Sequence, residues 1–538
     1  MISVKGEIVL PASQSLLEVS NSLSAPGNLA IAKGVLRKNS PRMRLLLTPT
    51  QNMKTKPKPK TMTNTSIISG LFAIALTSYS PGKTIPNHAI ADLVLGQPGF
   101  ITGTALPTSS GSLDRPSGVI VDPISRKVFV TDRENQRILR YPSVDALTNG
   151  ASAEAVFGQP RFSSSSEDNP NTELGVDDPG GLFLDRLGRL WVADTDNHRV
   201  VMYEAAVFRV GQPFADKVFG QVDFIATVFG LGSNGMRFPR GVWVDANDTL
   251  WVADSGNNRV LRFDTVSDNA VLNSSADAVL GQPGFITNVA AVGAAGLNSP
   301  RSVSVSTGGE LFVADSSNNR VLRYDNAGTL ANGANASGVL GQLDFVGTTP
   351  GLSATQMSGP AGAFITPDDS LWVSENNNNR LIRFDGASTK PNGASANGVV
   401  GQPNFTTNIS ATTAQGLYGG DYGQPFVDGS GALWFAEYDN DRVLRFPADE
   451  TKPLLVVTTV IPKATNKKKF TVNGTASDQF GISLVQFKVN NGPLQTAIGT
   501  ITWQIKPALK KGKNKITIIA TDSVGNVSVN KIIKIKRN

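Results

Sequence analysis

Short apolar runs separated by polar, turn-forming clusters recur through the middle of the chain. Around residue 250, the segments 241–245, 249–254, 259–263 and 278–285 are rich in Val, Leu, Trp and Phe and bounded by Asn, Asp, Gly, Ser and Pro, so each predicts a short strand. The pattern returns six times. A Gly-Gln pair marks each return, at Gly96, Gly158, Gly220, Gly281, Gly341 and Gly401, in steps of 62, 62, 61, 60 and 60 residues. Four antiparallel strands per repeat make a propeller blade, and six repeats predict six blades.

The repeats resemble the NHL family. Pro239-Arg240-Gly241-Val242-Trp243-Val244-Asp245, then Trp251-Val252-Ala253-Asp254 and Asn257-Asn258-Arg259-Val260, follow the family pattern closely, and the resemblance covers residues 91–447. It implies a six-bladed NHL-type β-propeller and leaves function open, because such propellers serve many roles. The repeat region opens with a Gly-Gln strand at 92–100, yet none follows the sixth Arg-Val strand at 442–446. The expectation is that strand 92–100 completes the last blade and so removes an open edge. Strand parity places the Asp-x-x-Asn-x-Arg turns and the long connections 286–299, 346–359 and 406–421 on one face, where binding is expected.

After Phe446 the composition shifts to Lys, Val, Ile and Thr, and the segments 470–476, 483–490, 500–505, 515–521 and 531–536 predict the strands of a small sandwich. The run Ala520-Thr521-Asp522-Ser523-Val524-Gly525-Asn526 is similar to the end of bacterial immunoglobulin-like modules. Ahead of the repeats, Lys54, Lys56, Lys58 and Lys60 precede the apolar stretch 67–76, the order of a secretory signal, with Ala75, Ser78, Ser80 and Ala89 as cleavage candidates. The organisation read from the chain is therefore 1–52 as an upstream mis-start or disordered segment, 53–88 as signal and linker, 89–449 as propeller and 450–538 as an immunoglobulin-like β-sandwich. Secretion or cell-surface location follows.

The chain of 538 residues carries a net charge of +7, unevenly spread. Residues 91–450 hold 24 Lys/Arg against 39 Asp/Glu, while residues 451–538 hold 15 against two. An acidic propeller lacks the footprint needed to bind a phosphate backbone, which argues against a nucleic-acid partner. The basic C-terminal unit offers noncovalent contact with an anionic cell-surface polymer, or edge protection alone. There is no cysteine, and only two histidines, so disulfides, thiolate sites and a multi-histidine zinc centre are excluded.

Residues that recur once per blade predict structure rather than chemistry. Asp132, Asp194, Asp254, Asp315, Glu375 and Glu437, with Arg137, Arg199, Arg259, Arg320, Arg380 and Arg442, belong to this set. Asp194 with Asp196, and Glu437 with Asp439 and Asp441, alternate oxygen ligands in a way calcium can use, without the Gly and distal Glu of an EF-hand loop. Positions that break the repeat are the better binding candidates. Arg240 and Arg301 follow the inner-strand proline on adjacent blades and predict an anion clamp at the channel mouth, or pairing with nearby acids. Tyr422 replaces that proline in the sixth repeat, and His198 stands where other repeats have Asn. No catalytic constellation is read, and no cofactor is required beyond the calcium option. The expected function is an exported, non-catalytic recognition or scaffold protein binding a protein or glycan on its loop face. The alternatives are an extracellular propeller lyase or hydrolase with carboxylate-bound calcium and, less well supported, an RNA-binding NHL protein.

Overall fold

A computed structural model describes residues 85–538 except 166–173, 212, 269–271, 420–422, 450, 479–480 and 523–525. The proposed signal segment and Tyr422 therefore lie outside the described residues. The chain is an all-β propeller of six four-stranded antiparallel sheets followed by a β-sandwich. In the third blade the strands, from the channel outward, are Pro239–Val244, Leu250–Asp254, Arg259–Phe263 and Ala278–Leu280. Inner strands of successive blades touch in ring order, so each sheet buries both faces against its neighbours. Among the described residues no helix is long and apolar enough to cross a membrane.

The ring closes with strands from both ends of the repeat region. The sixth blade combines Pro425–Val427, Leu433–Glu437 and Arg442–Phe446 with Leu93–Leu95, Leu93 lying opposite Arg445 and Leu95 opposite Val443. The closing segment starts earlier than residue 89. Asn87 Oδ1 accepts from Val399 N at 3.0 Å, His88 N donates to Val399 O at 2.8 Å, and Arg383 Nη1 donates to Ile85 O at 2.9 Å. Asn332 and Asn392 make the same side-chain contact to Val279 N and Val339 N in other blades. A cut after Ala89 would thus discard residues that the ring uses.

The Gly-Gln pair ends its strand rather than belonging to it. The fourth strand of the third blade stops at Leu280, and Gly281 turns the chain at φ +85°, as Gly96, Gly158, Gly220, Gly341 and Gly401 do at +82° to +89°. This left-handed region favours Gly, and a Cβ on Gly281 would fall 2.4 Å from Leu297 Cδ1. The Gln side chain then staples the loop. Gln282 Nε2 donates to Asn258 O at 2.9 Å and to Val289 O at 2.8 Å, and Gln342 and Gln402 repeat the pair of bonds in the next two blades.

The C-terminal unit packs a three-stranded sheet, Leu454–Val457, Val472–Ser477 and Thr502–Ile505, against a five-stranded one. The second sheet holds Ala464–Thr465, Lys531–Arg537, Gly512–Asp522, Ile482–Val489 and Gln495–Thr496. Inward residues alternate along the strands and meet in one core around Trp503, Val472, Phe487, Ile516, Ile518 and Ile535. Three strands, at 454–457, 464–465 and 495–496, were not legible in the sequence because two have only two residues and the third is half exposed.

Candidate functional site

The once-per-blade acids and arginines are locked inside the blades. In all six, carboxylate and guanidinium side chains are fully buried and ion-paired. In the third blade, Arg259 Nε donates to Asp254 Oδ2 at 2.7 Å, Nη1 to Phe285 O at 2.6 Å, and Nη2 to Gly232 O and Gly235 O at 3.0 and 2.9 Å. Asp254 Oδ1 accepts from Arg237 N at 2.7 Å, and Asn257 Nδ2 donates to Oδ2 at 2.9 Å. One ion pair thereby fixes three loop segments, which is its work in every blade.

This geometry separates the calcium candidates. Asp194 accepts from Asp177 N, Asn197 Nδ2 and Arg199 Nε, and Glu437 from Tyr418 N, Asn440 Nδ2 and Arg442 Nε, so neither carboxylate has an oxygen left over. Asp196 turns instead to the channel mouth, Asp439 is exposed, and Asp441 Oδ1 accepts from Arg115 N at 2.8 Å. The alternating acids do not converge, because successive turn residues point to different blades.

His198 replaces a structural asparagine. Its Nδ1 accepts from Phe238 N at 3.2 Å, as Asn258 Oδ1 accepts from Ser299 N and Asn319 Oδ1 from Gly359 N, both at 2.8 Å. The ring also meets Phe229 and Phe238 edge-on. Burial lowers the imidazole below its usual 6.5, Arg237 lowers it further, and the Thr195 carbonyl opposes both. Between that lowered value and 6.5 the unfolded chain binds more protons, so this contribution is complete above 6.5 and is lost as pH falls. His198→Asn keeps the acceptor and removes the titration. Its melting temperature should match wild type near pH 7 and fall less steeply toward about pH 5, read by calorimetry across that range.

At the channel, three tiers of inner-strand residues define a throat. The first after the proline position is Ser117, Gly180, Arg240, Arg301, Ala361 and Gly423; the second is Gly118, Gly181, Gly241, Ser302, Gly362 and Gln424. The second tier is small because neighbouring backbones nearly touch: a Cβ on Gly241 would lie 2.7 Å from Arg301 O, and one on Gly362 would lie 2.8 Å from Gly423 O. Gln424 alone places a long side chain there. It is 7% exposed, and its Oε1 is buried without a hydrogen-bond partner. Arg240, Arg301, Ser302, Ala361, Gln424 and the facing glycines line a cavity with about 10 Å³ for the centre of a water-sized body. That is room for roughly one water.

Two residues deeper, aromatic rings fill the channel. Phe183 and Trp243 stand 4.4 Å apart, Trp243 and Phe364 5.6 Å, and Phe364 and Phe426 5.0 Å, centroid to centroid. The Trp243–Phe364 contact passes the fourth blade, which contributes only Ser304 at this level. The plug was readable by aligning the fourth residue after each proline position. Gln424 carried a weaker signal, as the one large residue in a tier of Gly and Ser.

Arg240 and Arg301 do come together at the throat, and the mouth also supplies acids. Asp196 opens to solvent on one side, and its carboxyl is pushed up to about 6 by the mouth's walls and by the like charge of Asp178, against the pull of Arg133 and Arg240. Arg133 pairs with Asp178, and its Nη1 donates to Tyr438 OH at 2.9 Å. Charge at the mouth is thus alternating rather than purely cationic.

The surrounding face holds a feature missed in the sequence. Five residues after the Gly of the Gly-Gln pair, Ile101, Ile225, Ile286 and Val346 are 83%, 69%, 80% and 69% exposed. Three residues further, Val228, Val289 and Ile409 are also exposed. The loops that carry Ile225, Ile286 and Val346 are adjacent and hydrogen-bonded, Gly232 N to Phe285 O and Gly293 N to Phe345 O, both at 2.9 Å, so these three form an arc on the collar of loops, while Ile101 stands apart between loops that place Ser163 and Thr406 at the same offset. Their signal was an apolar residue at fixed offset within an otherwise polar loop.

Comparison with known proteins agrees with this architecture. The NHL repeat family matches residues 177–203, 236–263 and 297–324, which run through the third strands of the second, third and fourth blades. The chain is 27% identical over 163 residues to peptidyl-alpha-hydroxyglycine alpha-amidating lyase 2 of Drosophila melanogaster, covering 30% of this chain and 37% of that protein. It is 27% identical over 162 residues to NHL repeat-containing protein 3 of Mus musculus, covering 28% and 40%. The chain thus spans less than half the length of these curated relatives. Among solved structures, virginiamycin B lyase from Staphylococcus aureus is similar at 13% identity and a TM-score of 0.36, covering 65% of this chain and 98% of that one.

Proposed function

We propose that this NHL β-propeller is an exported recognition module that docks a protein partner on its loop face, with the C-terminal sandwich as its tether. The observation that carries the reading is the arc of exposed Ile225, Ile286 and Val346 on three adjacent hydrogen-bonded loops, with exposed Ile101 elsewhere on the same face. Contiguous exposed apolar side chains on a rigid scaffold are characteristic of protein interaction sites. Their aliphatic character favours a protein over a glycan, whose sugar rings stack on aromatic side chains. Export rests on the basic and apolar order of residues 54–76.

The tether reading rests on an arrangement that costs stability. Lys513 lies opposite Lys536 and Lys515 opposite Lys534 on adjacent strands, with all four exposed. Like charges paired across a sheet repel, and an anionic polymer would relieve that repulsion. An extracellular lyase or hydrolase remains the alternative. The narrow part of the throat above the aromatic plug holds about one water, so a substrate would sit over the mouth beside Arg240, Arg301 and Asp196.

The test is a display screen of secreted proteins, glycans and anionic wall polymers against the purified chain and a variant carrying Ile101→Asn, Ile225→Asn, Ile286→Asn and Val346→Asn. A protein ligand bound by wild type and weakened at least tenfold in the variant is the expected result. A ligand bound equally by both would sink the docking face. Turnover of an ester or glycan that Arg240→Ala abolishes would decide for the enzyme.

A further inference from the structure

Residues 451–538 contain fifteen Lys and Arg but only two acidic residues, Asp478 and Asp522. In so basic a unit, each would be expected beside a lysine. Instead the two lie together with Asp449, the last described residue before the sandwich segment, and ligand atoms from all three carboxylates lie within 4.8 Å of one another. Asp449 and Asp522 are 4% and 1% exposed, and Asp478 is partly buried.

The hydrogen bonds around the cluster leave one oxygen of Asp449 over. Asp449 Oδ1 accepts from Thr451 N at 2.9 Å and from Thr451 Oγ1 at 2.6 Å, while Asp449 Oδ2 is buried with no hydrogen-bond partner. Thr451 Oγ1 also lies 3.1 Å from Asp478 Oδ2, and Asn526 N donates to Asp522 Oδ1 at 2.9 Å. Asn526 Nδ2 reaches back to Asp449 O at 3.1 Å, tying the last turn of the sandwich to the linker. Converging buried carboxylates repel and are costly to desolvate unless a positive charge joins them.

We propose that Asp449, Asp478 and Asp522 bind one calcium ion that fastens the end of the propeller chain to the C-terminal sandwich. The donors are all hard oxygens, which suits calcium and not zinc. They come from three separate segments, the linker, the turn after Val472–Ser477 and the end of Gly512–Asp522, and this irregular cage suits calcium's flexible coordination better than magnesium's strict octahedron. The ion occupies the place that Asp449 Oδ2 leaves open, and it ties the connection to the sandwich. This site is distinct from the once-per-blade acids, whose oxygens are already spent on arginine.

The full-length chain, stripped with a chelator, should bind calcium chloride at one site in a calorimetric titration and luminesce with terbium displaced by calcium. Asp478→Asn, a partly exposed position chosen to leave folding intact, should weaken binding at least tenfold, as should Asp449→Asn. Calcium should also slow cleavage of the linker by a broad-specificity protease in wild type and not in either variant. Absence of binding up to about 10 mM calcium, far above the roughly millimolar limit of extracellular modules, overturns the proposal. So does unchanged affinity in both variants.

Discussion

Deleting residues 91–100 from the full-length chain is expected to abolish the cooperative unfolding transition of the propeller, not merely to trim its N-terminal edge. Leu93, Val94 and Leu95 are all buried against the last blade. At about 1.5–3 kcal/mol per buried aliphatic side chain, their loss alone approaches 5–9 kcal/mol, comparable with the roughly 5–15 kcal/mol that keeps a domain folded. The deletion also removes Phe100 O, to which the buried Arg442 donates, and leaves the strand Arg442–Phe446 as an open edge. Scanning calorimetry should show a broadened or absent propeller transition. A truncation that melts as wild type does would refute the closure.

Arg259→Ala should be the most damaging single change, at about 3–5 kcal/mol, because it strands the buried Asp254 carboxylate and removes the donors of three loop carbonyls. Arg259→Lys should lose most of this too, since one ammonium cannot reproduce a planar fork that reaches Asp254, Phe285, Gly232 and Gly235. The comparison is Arg262→Ala, three residues away, whose side chain pairs with the more open Asp264 and donates to Ala327 O and Leu330 O at 3.4 and 3.2 Å. It should cost less than Arg259→Ala, because it leaves no fully buried carboxylate without its cation. Urea unfolding of the three variants measures the contrast, and equal losses at 259 and 262 would show that the buried pair holds nothing together.

The six blades and their closure were legible because a repeat states its architecture six times over: where a buried acid, an arginine and a Gly-Gln pair recur every 60 to 62 residues, local chemistry and long-range contact carry the same information. The Asn role of His198 followed from the same register. The break at Arg240 and Arg301 was legible as position, since both line one cavity, but the acids around it were not. Asp196 belongs to the preceding blade, and its approach to Arg240 depends on how two sheets pack. Likewise the alternating acids at 194–196 and 437–441 look like ligand loops in one dimension, while the turn sends successive side chains to separate neighbours.

By itself the sequence determined the all-β class, the blade count, the offset ring closure and the identity of the residues that hold each blade, because these follow from periodicity and local turn chemistry. Only the tertiary structure decided that an aromatic plug fills the channel, that Gln424 enters a throat built for glycine, that aliphatic side chains form an arc, and that three aspartates from distant segments converge. Each of these depends on side chains far apart in the chain being brought within a few ångströms, and no local pattern encodes that distance.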